Sequence, residues 1–166
     1  MNELRTTIRI DESDAKIQHS DIVLTVGSCF AASMGNIFSL NKFDTLVNPF
    51  GTLYSPLAIH HALDTAVRTV PPTADGFVNR NDAWYHYDYH SSLSALDRDE
   101  LNLLLQARMG QANGYLRKAR WIVITYGTAW VYNRKDNGMP VANCHKVPTD
   151  HFEKSLLTQK KNAGII

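Results

Sequence analysis

The stretch Asp21-Ile22-Val23-Leu24-Thr25-Val26, closed by Gly27, limits what this 166-residue chain can fold into more than any other segment. It is a nearly continuous β-branched and aliphatic run, the pattern of a strand buried on both faces, and such strands belong to parallel sheets. From Ser28 the apolar period changes. Phe30, Met34, Ile37 and Phe38 fall at helical spacing, with Gly35 on a small-residue side that admits a close neighbour. Strand, glycine turn and helix therefore follow one another without a linker.

The remainder repeats this alternation. Phe43 to Val47 reads as a second strand and Asn48-Pro49-Phe50-Gly51 as a turn. Ser55-Pro56 supplies an N-cap and a first-turn proline for a helix with Ile59, Leu63, Ala66 and Val67 on its stripe, which Pro71-Pro72 ends. From Phe77 to His90 a hairpin or ribbon is expected, with Tyr85, Tyr87 and Tyr89 packed inward and His86, Asp88 and His90 on a solvated face. Asp97 and Glu100 resemble a capping box opening a helix whose buried stripe is Leu101, Leu104, Leu105, Met109 and Ala112. Trp121 to Tyr126, ended by Gly127, is a third buried strand. Val141 to Val147 reads as a short strand or extended loop. Asp150 with Glu153 is expected to start a last helix carrying Phe152, Leu156 and Leu157.

Apolar strands alternating with amphipathic helices predict a parallel α/β sheet with right-handed crossovers, in a single domain over 1–166. With 44% hydrophobic and 20% charged residues the chain has enough apolar surface to build a core. A sheet of about three strands exposes an edge, so truncation after the third core strand and self-association through that edge are both expected. The net charge of +1, with Lys and Arg scattered apart from Arg117, Lys118 and Arg120, gives no basic stripe for nucleic acid. No apolar run approaches the ~18 residues of a membrane span. Met1 to Asp14 lacks the pattern of a secretory signal, and two cysteines are too few for a disulfide framework, so a cytoplasmic, reducing location is expected.

Functional loops of such sheets lie at the carboxyl ends of the strands, here Gly27 to Cys29, Asn48 to Gly51 and Gly127 to Trp130. Ser28 and Cys29 open a helix, where unpaired N–H groups and the positive dipole end favour a thiolate or an oxyanion. The alternative is a purely structural small-residue turn. His86, Asp88 and His90 are the ligand types of a two-histidine, one-carboxylate metal site. Cys144 and His145 could add to it, but same-face neighbours on one strand stand ~6.5 Å apart, which hinders all three from converging on one ion unless the strand bends, so no metal is expected. No other cofactor is expected either.

Four strings in order, Gly27-Ser28-Cys29-Phe30-Ala31, Asn48-Pro49-Phe50-Gly51-Thr52-Leu53-Tyr54, Tyr126-Gly127-Thr128-Ala129-Trp130 and Val141-Ala142-Asn143-Cys144-His145-Lys146-Val147-Pro148, resemble the GSCFA family. That family is grouped with the SGNH (GDSL-like) hydrolases. The resemblance implies a three-layer, flavodoxin-like α/β/α sandwich and cleavage of an acyl ester through a serine nucleophile, an oxyanion hole and a late Asp-x-x-His, a reaction class without a substrate; an ester of a small molecule, glycan or lipid is the expectation. Laid over the hydrolase Gly-Asp-Ser block, Cys29 takes the nucleophile's position and Ser28 the aspartate's; a helix start one residue earlier makes Ser28 the nucleophile. The expected oxyanion or substrate-binding residues are Gly27, Asn48, Gly51, Gly127 and Asn143, although Ala129 stands where these hydrolases carry an asparagine, and both asparagines can instead tie down loops. The late histidine has no counterpart, which leaves His145 and His90 as bases. A non-catalytic carbohydrate- or protein-binding module is the competing expectation.

Overall fold

A computed structural model describes residues 8–9 and 11–158. Strand β1 (Ile22–Gly27) is followed directly by helix α1 (Cys29–Leu40), then β2 (Asp44–Val47) and α2 (Pro56–Arg68). A hairpin of β3 (Phe77–Arg80) and β4 (Ala83–His86) leads to α3 (Arg98–Leu116) and β5 (Trp121–Thr125). Strands β6 (Trp130–Arg134), β7 (Pro140–Val141) and β8 (Phe152–Leu156) come last.

The fold is mixed α/β, built on a parallel sheet in the order β2-β1-β5. Register pairs Leu24 with Leu46 on one side and with Ile122 on the other. Alternate residues of the strands face opposite ways. Leu24, Val26 and Leu46 enter the main core with Ile59, Ala62 and Ala66 of α2 and Leu101, Leu105 and Met109 of α3. On the other face a Cβ at Gly35 of α1 would stand 2.5 Å from Thr25 Oγ1 and 2.8 Å from Val47, so only glycine lets this helix lie so close to the sheet. The connection from β1 to β2 moves one way along the sheet, and the next passes back over β1 to reach β5. Right-handed crossovers in opposite directions place their helices on opposite faces and open a crevice where the strand order reverses, at the carboxyl ends of β1 and β5.

Several expectations are corrected. Helix α1 buries Ala31 and Gly35, whereas Phe30 and Ile37 of the expected stripe are 61% and 54% exposed, because the sheet is approached through the small residues. Strand β5 is an outer strand and only partly buried, so its aliphatic pattern does not mean burial on both faces. The ribbon stops at His86, where the chain turns with Tyr89 N–H donating to the His86 carbonyl over 3.0 Å. The turn sends His86 and Tyr89 inward together, so the expected solvated face contains a wholly buried histidine.

The expected helix from Asp150 is a single 3₁₀ turn, Thr149–His151, followed by β8. Its residues pair antiparallel with β6, from Arg134↔Phe152 to Trp130↔Leu156, and this ladder overrides the capping-box pattern. Strand β6 itself has no counterpart in the sequence reading.

Asp97 caps α3 as expected, its Oδ1 accepting from the N–H groups of Asp99 and Glu100 at 2.8 and 3.0 Å, but among the described residues the Glu100 carboxylate makes no return bond to Asp97 N–H, so the box is only half formed. Asp97→Ala is expected to lower stability by about 1 kcal/mol, read as a lower urea midpoint. An unchanged midpoint would show that the helix is held by packing alone.

Candidate active site at the strand ends

The crevice is framed by hydrogen bonds among the three strand-end loops. Gly27 has φ +133°, and its N–H donates to Asn48 Oδ1 over 2.9 Å. Its carbonyl accepts from Leu53 N–H at 2.9 Å and from Asn48 Nδ2 at 3.3 Å. Asn48 is therefore a clasp between the ends of β1 and β2, and it adopts the left-handed conformation that asparagine tolerates. Gly51 N–H donates to the Asn48 carbonyl at 2.8 Å. On the β5 side, Gly127 N–H donates to the Tyr54 carbonyl at 2.9 Å.

Ser28 and Cys29 occupy distinct environments. Ser28 caps α1: its Oγ accepts from Phe30 N–H at 3.3 Å and lies 2.7 Å from Thr125 Oγ1, while its N–H donates to the Thr125 carbonyl at 3.0 Å. The residue is buried and its polar atoms are occupied. Cys29 is the first residue of α1, with a free and exposed thiol at the positive end of the helix.

The two histidines expected as bases are held by different segments. His90 is carried to the β2 loop, where its Cβ abuts Gly51 and its N–H donates to the Phe50 carbonyl. Its Nδ1 accepts from Ser92 N–H at 3.2 Å, which places the proton of the neutral ring on Nε2 and makes His90 a hydrogen-bond donor. His145 is buried against β4, stacked on Tyr85 at 4.8 Å, with Nε2–H donating to the His86 carbonyl at 2.9 Å. Burial depresses its pKa to about 4. Its ring contacts Tyr85, Tyr87 and the His86 carbonyl, all in β4 and the turn after it. The Asn143 side chain accepts from His145 N–H at 2.8 Å, an Asx turn that shapes this loop. Burial raises the Cys144 thiol pKa and keeps it protonated.

Two pairs escaped the sequence reading. His60 Nε2 lies 2.6 Å from Tyr126 Oη, beside the crevice, with the rings stacked at 5.8 Å. Neighbouring His61 reaches Asp88 at 3.4 Å. The available signals were a tyrosine directly after a strand and two adjacent histidines in a helix. Neither specifies a partner without the tertiary fold.

Both histidines line a groove of about 650 Å³ between α2, the turn after β4 and the β6–β7 segment. Ser28, Cys29 and the glycines of the crevice are not among its lining residues. His86, wholly buried behind Asp88, accepts the Asp88 N–H on Nδ1 and donates from Nε2 to the Thr73 carbonyl. Its 3.8 Å approach to the Asp88 carboxylate is thus no ion pair, in keeping with a pKa lowered mainly by burial. Among the described residues no three His, Cys, Asp or Glu side chains are grouped to hold a metal, and no helix is long and apolar enough to cross a membrane.

No curated protein and no solved structure gives a significant match to the chain. The family model for GSCFA matches residues 22–164, taking in the Gly27 turn, the Asn48 clasp and the loop of Asn143 and His145, and on that extent of match the chain belongs to the GSCFA family.

Proposed function

We propose that the chain is a single SGNH-hydrolase-like domain that transfers an acyl group from an ester to Cys29 and then to water. The observation carrying this reading is the free, exposed Cys29 at the start of α1, just past the carboxyl end of β1 where the strand order reverses, beside a Ser28 whose hydroxyl is occupied. The parallel order β2-β1-β5, with helices on both faces, suits the flavodoxin-like layering of that superfamily.

In this mechanism the Cys29 thiolate attacks the ester carbonyl, the C–O bond breaks, and the departing alkoxide takes a proton to leave a thioester on Cys29. Water then cleaves the thioester and restores the thiol. The dipole of α1 favours both the thiolate and the oxyanion. His90 beside Gly51 of the β2 loop and the His60–Tyr126 pair just past β5 are the groups assigned to donate hydrogen bonds or move protons. The substrate is an ester of a small molecule, glycan or lipid.

A specific observation favours the second reading, a binding module on the same scaffold. The N–H groups of Ser28, Gly51 and Gly127 all donate within the protein. An oxyanion would have to find its donors elsewhere.

Cys29→Ala and Ser28→Ala compared on p-nitrophenyl acetate separate these readings. Cys29→Ala is expected to reduce hydrolysis to the uncatalysed rate, whereas Ser28→Ala keeps the activity and loses about 1 kcal/mol of stability as a helix cap. The reverse pattern would make Ser28 the nucleophile. Wild-type protein with no activity above background would leave the binding module.

A further inference from the structure

The groove along α2 differs from the strand-end crevice in chemistry as well as position. Its walls carry Leu57, Leu63, Val67, Met139 and Val141, and its volume of about 650 Å³ lies within the range of small-molecule sites. Set among these apolar side chains are Asp64, Asp75, Asp88, His61 and Arg134. Their pairing determines which ligand charge the groove accepts.

Asp64 is neutralised by Arg68, one turn further along α2. Arg134 serves two carboxylates, Asp136 at 2.5 Å and Asp75 at 3.4 Å. One negative charge is therefore in surplus there. Asp88 has no guanidinium or ammonium partner among the described residues, since His86 is neutral and turned to other groups, and His61 at 3.4 Å is its sole counter-ion. When His61 is neutral the surplus is two negative charges beside an apolar wall. Both guanidiniums are committed, so among the described residues an anionic ligand finds no free cation in this groove. The ring of Tyr87 already carries Arg134, whose guanidinium carbon is 5.0 Å from its centroid, so a sugar finds no open aromatic platform there.

We propose that this groove binds an organic ammonium ion with an aliphatic or aromatic body, its N–H groups on the Asp88 carboxylate and its body along Leu57, Leu63, Val67 and Met139. The proposal is independent of the hydrolase reading. It also has a pH signature, because His61 and the ligand compete for Asp88. The groups facing His61 are Asp88 and the neutral His86 from the β4 turn and Asp64 and Arg68 from α2, with His60 adjacent and Asp75 and Arg134 lining the same groove. Hydrogen bonding to Asp88 raises the pKa of His61, opposed by its partial burial. Protonated His61 occupies Asp88 at low pH, and the site opens as pH rises through that pKa.

Calorimetric titration of the intact chain with n-octylammonium, n-octanol and n-octanoate tests the idea with one body and three charges. The ammonium is expected to bind at least about tenfold more tightly than either other probe at mildly alkaline pH, and to weaken by up to about tenfold per pH unit below the His61 pKa. Asp88→Asn should remove the preference for the ammonium, and His61→Gln should keep the binding while flattening its pH dependence. Equal binding of the three probes, no binding of the ammonium, or a preference that survives in folded Asp88→Asn protein would overturn the proposal. Should Asp88→Asn not fold, the pH profiles of wild type and His61→Gln decide: identical profiles overturn it.

Discussion

Gly27→Ala is expected to lose several kcal/mol of stability, of the order of 3–5, and at 37 °C to leave little folded protein. Two independent effects act at this position. At φ +133° an L side chain is strained before any neighbour is considered. A Cβ there would also stand 2.1 Å from the Thr125 carbonyl oxygen and 3.0 Å from the Thr125 carbonyl carbon and amide nitrogen, which are backbone atoms of the adjoining strand and cannot swing aside. Relief would require β5 to separate from β1, breaking the Gly27↔Thr125 end of the ladder and the Ser28 N–H bond to the Thr125 carbonyl. The Asn48 clasp, which depends on Gly27 N–H, would be lost with it. Chemical denaturation reads the effect, and Gly110→Ala is the control, since a Cβ at Gly110 meets nothing within 4 Å and alanine is the better helix former. A Gly27→Ala midpoint close to wild type would show that the turn relaxes without parting the strands.

The control matters because it isolates a local requirement from general glycine loss. The same geometry explains how far the sequence could be read. Strand β1, the glycine turn, α1, α2 and α3 were legible because each is specified by its own residues: a β-branched run, an N-cap serine or aspartate, a first-turn proline, a stripe of period 3.6. Which face α1 would bury was not. The larger side chains Phe30 and Ile37 suggested one face, but the sheet accepts the helix only where Gly35 removes a Cβ. Strands β6 and β8 fail for a different reason. Each is stabilised by a partner about twenty residues away, and Asp150-x-x-Glu153 offers a local helix start that the ladder from Trp130 to Arg134 outweighs. The strand-end loops were placed from the sequence, and so were the families of side chains in them. What each atom does was not, because the answer lies in pairings across the fold: Asn48 with Gly27, Ser28 with Thr125, His60 with Tyr126.

The buried histidines give the fold a stability that falls on the acid side of neutrality. His145 is buried with Nε2–H on the His86 carbonyl, and its Nδ1 has no hydrogen-bond partner. Protonating Nδ1 would place a charge against Tyr85 and Tyr87, and desolvation holds the folded pKa at about 4, below the ordinary histidine value of about 6.5. Between these two values the unfolded chain binds a proton that the folded chain does not. Stability therefore rises with pH across this window: the full contribution is present above about 6.5, it is lost progressively as pH falls, and below about 4 both states are protonated and the loss is complete. The interval corresponds to roughly 3 kcal/mol for His145 alone. His86, whose pKa is also lowered by burial, acts in the same direction. Carboxylates held low by their partners, Asp21 by the Gln18 N–H and Asp75 by the Thr73 side chain, lose their contribution at lower pH, after His145 has titrated. Urea midpoints between pH 7.5 and 4.5, compared for wild type and His145→Gln, isolate the histidine's share from the rest. The wild-type midpoint should fall steeply over this range and the variant's less steeply, with the two curves converging toward the acid end. Parallel curves would mean that His145 takes up its proton without unfolding, and the loop from Asn143 to Lys146 would then have to open to solvent in the native state.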